Sequence, residues 1–323
     1  MTRAIVIHET GGPEVMRWED ISVGEPGAGQ VRLRQTVCGV NYLDTYLRAG
    51  THFVKPKLPA VLGVEAAGVI EAIGPGVRGF SLGQRVAYPL TEGSYAESRL
   101  IAANDLVVLP DSVSDIVAAG TFMKGLTAWH LLFDVTKVKA GDVVLVHAAA
   151  GGVGLILVQW ARHLGATVIG TVSTDEKAAL VREFGCHHPV IYSREDFVAR
   201  TKELTGGRGA TYVYDAVGRT TFKGSLAAVA PYGTVVTYGL ASGPLPNLAF
   251  ADIPRCSFVT RGTVRTVTAE RATLLRAAEA YFDALARIVL WPRIDRTYPL
   301  AAAADAHRDL EARRILGAAV LTV

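Results

Sequence analysis

Residues 143–164 decide the fold, and they read VVLVHAAAGGVGLILVQWARHL. An apolar run typical of a buried strand passes through Gly151, Gly152 and Gly154 into an apolar helix. Gly165 follows directly, where a helix commonly ends. The stretch therefore predicts a strand, a tight turn and a helix.

The same stretch carries no charged residue from 143 to 161, which is close to the ~20 residues that a membrane span requires. The three glycines interrupt it in the middle, and His147 and Gln159 lie inside it. A buried strand followed by a buried helix accounts for the pattern, so we do not interpret it as a membrane segment.

The turn is a variant of the G-x-G-x-x-G fingerprint, with alanine in the first place. Such a turn needs a bare backbone to approach a pyrophosphate and a close contact between helix and strand. The first helical turn then offers N–H groups and a positive dipole end. A sharp packing turn without a ligand would use the same glycines. The strand–helix setting favours dinucleotide binding, with phosphate contacts from Ala150, Gly151, Gly152, Val153 and Gly154.

Strands and helices alternate after this turn, which predicts a parallel sheet with right-handed crossovers. We predict strands at 143–147, 167–172, 190–192, 211–214 and 234–238, and helices at 153–164, 175–184, 194–204 and 222–229. Residues 1–100 instead show short β-type runs separated by glycine and proline turns, which indicate a small β-rich domain. A tail with helices at 269–290 and 301–314 ends in a strand at 318–323. We expect that tail to return to the first domain.

The end of the second strand indicates which dinucleotide binds. An NAD-preferring site places Asp or Glu there to hold the ribose 2′-hydroxyl, but this strand ends in Val172 and Ser173. With Lys177 and Tyr192, Ser173 could hold a 2′-phosphate, which favours NADPH. Ser173 and Glu176 also spell a capping box, an alternative that needs no ligand.

Composition narrows the possible partners. The chain has 323 residues, half of them hydrophobic, so it can bury the cores of two domains. Its 33 basic and 30 acidic residues leave a net charge of +3 without a basic run, which argues against nucleic acid as the main partner. The three cysteines lie far apart and the N-terminus lacks an apolar leader, so we expect a cytoplasmic protein.

Several further motifs carry a resemblance to a known family over nearly the whole chain. They are NYLDTY (41–46), GVEAAG (63–68), KGLT (124–127), HAAAGGVG (147–154), VYDAVG (213–218) and EAR (311–313). The chain resembles the zinc-free, zeta-crystallin-like quinone oxidoreductases of the medium-chain dehydrogenase/reductase superfamily. The resemblance implies an α/β fold: a GroES-like β-rich catalytic domain (1–122 and 267–323) and a Rossmann NADPH-binding domain (123–266). It further implies an active cleft between the domains and a homodimer that pairs through residues 257–263.

The resemblance also bears on metal binding. Zinc-bearing relatives have Cys where this chain has Asn41 and His where it has Val64. Neither side chain supplies the thiolate or imidazole that catalytic zinc prefers. The four clustered cysteines of a structural zinc lobe are also missing between Leu82 and Ile116. We therefore predict no metal site, and an electron-poor acceptor that takes hydride without a Lewis acid.

The resemblance implies roles for individual residues. Asn41 and Tyr46 would hydrogen bond the acceptor or the nicotinamide, and Thr127 would lie beside the nicotinamide. The other cofactor contacts would come from Val217, Tyr238, Gly239, Leu240, Ala241, Phe258, Thr260 and Arg313. Alternatives without a ligand remain: a turn cap for Asn41, ring packing for Tyr46, a helix-interior threonine and a helix-end arginine. We expect Asp44 to be a helix-start residue rather than an acid catalyst.

The function that follows is NADPH-dependent reduction of quinones. Two alternatives remain open. One is reduction of α,β-unsaturated ketones or aldehydes, which uses the same hydride geometry; the other is an NADPH-binding protein with little turnover.

Overall fold

A computed structural model describes residues 2–254 and 256–323. Its strands are β1 (Thr2–Ile7), β2 (Arg17–Ile21), β3 (Gln30–Val40), β4 (Ala60–Val61), β5 (Ala66–Ile73), β6 (Arg85–Tyr88), β7 (Ser98–Ala102), β8 (Val107–Val108), β9 (Val143–Val146), β10 (Thr167–Val172), β11 (His188–Ile191), β12 (Ala210–Asp215), β13 (Val229–Thr237), β14 (Phe258–Arg261), β15 (Ile294–Pro299) and β16 (Ala318–Thr322). Its α-helices are α1 (Tyr42–Arg48), α2 (Asp115–Trp129), α3 (Gly152–His163), α4 (Asp175–Glu183), α5 (Phe197–Leu204), α6 (Phe222–Ala228), α7 (Val264–Thr268), α8 (Arg271–Ala286) and α9 (Ala303–Glu311).

The chain divides into two compact units. The first comprises residues 2–124, 265–282 and 292–323, and the second comprises residues 125–264 and 283–291. The boundaries predicted at 122/123 and 266/267 lie close to these divisions. The prediction differs from the structure at residues 283–291, which fall within the predicted first domain. They lie in the second unit because the Trp291 N–H donates to Gln159 Oε1 at 2.9 Å and the Trp291 ring packs against Phe184.

The first unit is built around largely antiparallel sheets, in which only β15 and β16 of the described strands pair in parallel. One sheet has the order β15-β16-β3-β5-β6-β8, with β7 also pairing with β3, and a smaller one has the order β2-β1-β4. Side chains of β3 alternate between buried and exposed at first, and residues 38–40 are then buried on both faces. Asn41 follows β3 directly as the N-cap residue of α1, and it is buried in the unit.

The second unit is a parallel sheet with the order β11-β10-β9-β12-β13-β14. Counted from β9, this is the 3-2-1-4-5-6 order of a Rossmann fold. Every predicted strand and helix of this region is present, with ends that differ by a few residues. The predicted α/β fold class is therefore confirmed. In such a sheet, ligands bind beyond the carboxyl ends of the strands, next to the central strand where the order reverses.

Within the described part of the chain, one helical segment, Asp115–Val135, is long and apolar enough to cross a membrane by length and composition. Of its most apolar window, 78% is buried inside the protein, as expected for a core helix.

Candidate functional site

The glycine turn joins β9 to α3 in the geometry that the fingerprint predicts. Ala148 has φ of 51°, in the left-handed region, and its carbonyl accepts the Gly151 N–H at 2.9 Å. A Cβ on Gly154 would lie 2.3 Å from the Ala148 oxygen, so only glycine fits there. The helix begins at Gly152, and its N-cap residue, Gly151, supplies no side-chain cap. The first N–H groups of α3 thus carry no cap from this residue.

A buried polar network supports this turn, and the sequence did not indicate it. His147 Nδ1 lies 3.0 Å from Thr171 Oγ1, and His147 Nε2 lies 3.1 Å from Ser225 Oγ. Ser225 in turn donates to Asp215 Oδ2 at 2.7 Å. Burial lowers the pKa of His147, which keeps the ring neutral. Asp215 Oδ1 accepts the Val217 N–H at 2.9 Å, so the network also positions this predicted cofactor contact.

Ser173 and Tyr192 lie next to each other at the carboxyl ends of β10 and β11. The two strands pair in parallel with Val172 opposite Ile191, and the Tyr192 N–H donates to the Val172 carbonyl at 3.1 Å. Lys177 lies in the first turn of α4, which begins beside this edge. The structure thus brings the three residues predicted for the 2′-phosphate to one edge of the sheet.

Ser173 does not form the capping box that stood as the alternative to phosphate binding. Thr174 is the N-cap of α4, and its Oγ1 accepts the Lys177 N–H at 3.3 Å. The Ser173 carbonyl instead accepts from Ser193 Oγ at 3.1 Å, which ties this residue to the neighbouring loop. A cation that the sequence reasoning missed also lies here, because the Arg194 guanidinium pairs with Asp175 in the first turn of α4.

The loops after β12 and β13 hold the next group of predicted contacts. The Ala241 N–H donates to the Ala216 carbonyl at 3.2 Å, and a Cβ on Gly239 would lie 2.6 Å from that same oxygen. Tyr238 and Leu240 flank Gly239. These residues therefore share the carboxyl edge of the sheet with the glycine turn.

The remaining predicted contacts of the second unit lie on other elements. Phe258 and Thr260 lie on β14, the last strand in the sheet order, and both are exposed. Thr127 lies within α2 and is partly buried.

In the first unit, Asn41 is the centre of a buried polar cluster. Its Oδ1 accepts from Lys124 Nζ at 2.7 Å, and its Nδ2 donates to Glu65 Oε2 at 2.9 Å. Lys124 Nζ also lies 3.3 Å from Glu65 Oε2. Since an ammonium only donates and a carboxylate only accepts, these partners define which way the amide faces. Asn41 is also the N-cap residue of α1, as the alternative interpretation expects, while its amide takes part in this cluster.

Glu65 is held on both oxygens. Its Oε1 accepts the Met123 N–H at 2.5 Å, while Oε2 faces Asn41 and Lys124. A Cβ on Gly39 would lie 2.6 Å from Glu65 Oε2, so this glycine leaves room for the carboxylate. The Glu65 side chain has no solvent exposure and that of Lys124 has 8%.

Glu65 and Lys124 were not predicted to take part in a site, although both lie in motifs that carry the resemblance. They lie 59 positions apart, so their charge complementarity is visible only after folding. Among residues 2–254 and 256–323, no three His, Cys, Asp or Glu side chains are grouped as metal ligands.

The other predicted residues of this unit lie around α1. Asp44 is confirmed as a helix-start residue, since its Oδ2 accepts the Asn41 N–H at 2.8 Å. Tyr46 is partly buried on α1, with its ring 6.3 Å from that of Tyr42. Arg313 follows α9 in a left-handed conformation, with φ of 58°. Its N–H donates to the Leu310 carbonyl, which closes the helix end.

Comparison with known proteins defines the class first. Residues 27–111 match the alcohol dehydrogenase GroES-like domain, and residues 152–280 match the family described as zinc-binding dehydrogenase. With the antiparallel sheets of one unit and the Rossmann sheet of the other, these matches define an oxidoreductase of the medium-chain dehydrogenase/reductase type.

Individual relatives narrow the class. A 2-haloacrylate reductase from a Burkholderia species is 45% identical, over 99% of both chains. A quinone oxidoreductase from Pseudomonas aeruginosa is 41% identical, also over 99% of both. The structure of Escherichia coli quinone oxidoreductase complexed with NADPH has a TM-score of 0.96 at 36% identity, covering 99% of this chain and 100% of that one. This chain belongs to the quinone oxidoreductase family.

Proposed function

We propose that this protein transfers hydride from NADPH to quinones. The observation that carries the proposal is the similarity along the whole chain to quinone oxidoreductases, one of them solved with NADPH. Two features of the chain agree with it: the dinucleotide turn of the second unit and the Asn41 cluster of the first.

The residues of the second unit fit a 2′-phosphorylated dinucleotide. The start of α3 offers N–H groups without a side-chain cap, and these would bind the pyrophosphate. Ser173, Lys177 and Tyr192 would hold the 2′-phosphate through two hydroxyls and one ammonium. A carboxylate at the tip of β10 would instead repel that phosphate, and none is present in the sequence there.

NADPH bound there supplies the hydride, and the protein supplies orientation and hydrogen bonding. Asn41 can offer its second Nδ2 hydrogen to an acceptor oxygen, because Glu65 takes only one of the two. Tyr46 would donate a hydrogen bond or a proton to the oxygen that gains charge, since conversion of a quinone to a hydroquinone needs one hydride and one proton. Thr127 and Arg313 would contact the cofactor.

A second candidate is reduction of an activated carbon–carbon double bond. It is favoured by the 45% identity to a protein named 2-haloacrylate reductase. In that reaction the hydride adds to an electron-poor alkene carbon, and a proton adds to its neighbour. The Lys124–Asn41 pair would then face a carboxylate or carbonyl oxygen that withdraws electrons.

Steady-state NADPH oxidation with matched acceptor panels tests both candidates. We expect turnover with 1,4-benzoquinone and 1,4-naphthoquinones, and slower turnover with 2-chloroacrylate and simple enones. Turnover restricted to the alkenes would replace the first proposal with the second. Tight NADPH binding without oxidation by any acceptor would favour the binding-protein alternative. Asn41→Ala should lower kcat with quinone at an unchanged KM for NADPH.

We further propose a cytoplasmic homodimer. The resemblance supports pairing through the exposed edge strand β14, where the Phe258 side chain is 60% exposed. Light scattering coupled to size-exclusion chromatography should give twice the chain mass of 34.3 kDa, and a monomer at micromolar concentration would refute the dimer. Cell fractionation tests the location, and we expect no association with membranes or nucleic acid.

A further inference from the structure

A second buried hydrogen-bond chain reaches the backbone N–H of Asn41, whereas Lys124 and Glu65 contact its side-chain amide. Its outer end is Arg48, whose side chain is 2% exposed and pairs with Glu311 at 2.7 Å. Arg48 Nη1 lies 3.0 Å from His307 Nδ1, and His307 Nε2 lies 3.1 Å from the Tyr95 hydroxyl. Tyr95 donates to Asp44 Oδ2 at 2.9 Å.

The hydrogen bonds from Arg48 to Asp44 can be donated in only one direction. A guanidinium has no acceptor, so Arg48 donates and His307 Nδ1 must accept. Burial and the charge of Arg48 lower the pKa of His307 to about 3, so the ring is neutral and carries its one hydrogen on Nε2. His307 therefore donates to the Tyr95 oxygen. Tyr95 then has its own hydrogen for Asp44, so every bond directs a donor toward that carboxylate.

Asp44 depends on these donors. Its Oδ2 accepts from Tyr95 and from the Asn41 N–H, at 2.9 and 2.8 Å, while its buried Oδ1 has no hydrogen-bond partner among the described residues. The charged and titratable groups that face it are Tyr95, Lys124, Glu65 and Cys38. Burial raises the pKa of Asp44 to about 7, against the opposing effects of Asn41, Tyr95 and Lys124.

We propose that Arg48, His307, Tyr95 and Asp44 are positioning residues for the reductase reaction, which hold the backbone of Asn41 through the Asp44 carboxylate. The inference rests on the proposed role of Asn41 in hydride transfer. Two partners fix the Asn41 amide, and this chain fixes the Asn41 N–H, so the side chain is oriented from both ends. The chain does not conduct protons, because Arg48 cannot supply one to His307.

The sign of the pH effect follows from the charge of Asp44. The carboxylate accepts from Tyr95 and Asn41 together, whereas protonation weakens both bonds. The kcat for quinone should therefore fall as the pH drops through the pKa of Asp44. Removing the Tyr95 hydroxyl removes one donor to the carboxylate, which favours the protonated form and moves this fall to higher pH.

Tyr95→Phe tests the proposal, with Tyr88→Phe as the matched control. Both tyrosines are fully buried in the first unit, but the Tyr88 hydroxyl bonds Gln35 and Arg99 and not Asp44. Because a hydrogen bond from Tyr95 stabilises the ionised form of Asp44, the acid limb of the kcat–pH profile should move up by roughly one to two pH units in Tyr95→Phe. The limb should not move in Tyr88→Phe, and the KM for NADPH should be unchanged in both.

Asp44→Asn provides a second test, since an amide keeps the shape but cannot ionise. It should remove the acid limb and lower kcat at neutral pH. Carboxyl ¹³C NMR of the Asp-labelled protein offers a readout without turnover: the Asp44 resonance, assigned by its loss in Asp44→Asn, should titrate at higher pH in Tyr95→Phe. An acid limb and an Asp44 resonance that titrate alike in wild type and Tyr95→Phe would overturn the inference. A wild-type enzyme without quinone turnover would instead refute the proposed function. The NMR titration would still show whether Tyr95 stabilises the ionised form of Asp44.

Discussion

Replacing Lys124 with methionine should destabilise the protein more than most single substitutions. Methionine keeps the length of the side chain but removes the ammonium from a site where the lysine side chain is only 8% exposed and Glu65 is fully buried. Glu65 would then keep only two donors, the Met123 N–H and Asn41 Nδ2. Breaking a buried pair in this way costs about 3–5 kcal/mol, and the two remaining donors place the cost near the lower end.

Thermal and urea unfolding measure this cost. A loss of about 3 kcal/mol in a unit of this size corresponds to a fall of roughly 6–12 °C in Tm. The exposed Lys223 is the matched control, because Lys223→Met should change stability by less than about 0.5 kcal/mol. The kcat for quinone should also fall in Lys124→Met, since the Asn41 amide loses one of its two partners.

A double-mutant cycle separates the ion pair from simple packing. Glu65→Gln in the Lys124→Met background removes the uncompensated charge, so the double variant should be more stable than Lys124→Met alone by about 2 kcal/mol. If the free energy of unfolding of Lys124→Met lies within about 1 kcal/mol of the wild-type value, well below the expected loss of about 3 kcal/mol, the reasoning about this cluster is refuted. It is refuted as well if the double variant shows only the sum of both losses.

Three other predictions concern the cofactor and the thiols. Gly154→Ala should raise the KM for NADPH roughly tenfold or more, because its Cβ would lie 2.3 Å from a backbone oxygen and shift the turn; an unchanged KM in steady-state assays would contradict this. Lys177→Ala should lower the preference for NADPH over NADH, measured as the ratio of kcat/KM values, and an unchanged ratio would remove this residue from the 2′-phosphate site. Native protein should react with a thiol reagent at Cys256 alone, because burial raises the pKa of Cys38 and raises that of Cys186 to about 12. Rapid reaction of all three cysteines would contradict the burial of Cys38 and Cys186.

Local sequence determined the Rossmann half of the protein. The run from Val143 to Leu164 holds an apolar strand and an apolar helix, and the glycines that separate them are visible without coordinates. Gly154 was also predictable, since the need for a bare backbone arises within a few residues of chain. Local sequence did not determine the start of α4, because Ser173 and Thr174 are both suitable N-cap residues and the structure uses Thr174.

The surroundings of Asn41 were decided only by the tertiary structure. Its partners Glu65 and Lys124 lie 24 and 83 positions away along the chain. Tyr95 and His307, which direct donors toward Asp44, lie 212 positions apart. Hydrophobic periodicity reports which face of an element is buried, but a polar residue at a buried position gives no sign of its partner. The partner is set when strands from both ends of the chain pair in one sheet, as β16 does with β3, and bring such residues within hydrogen-bond distance.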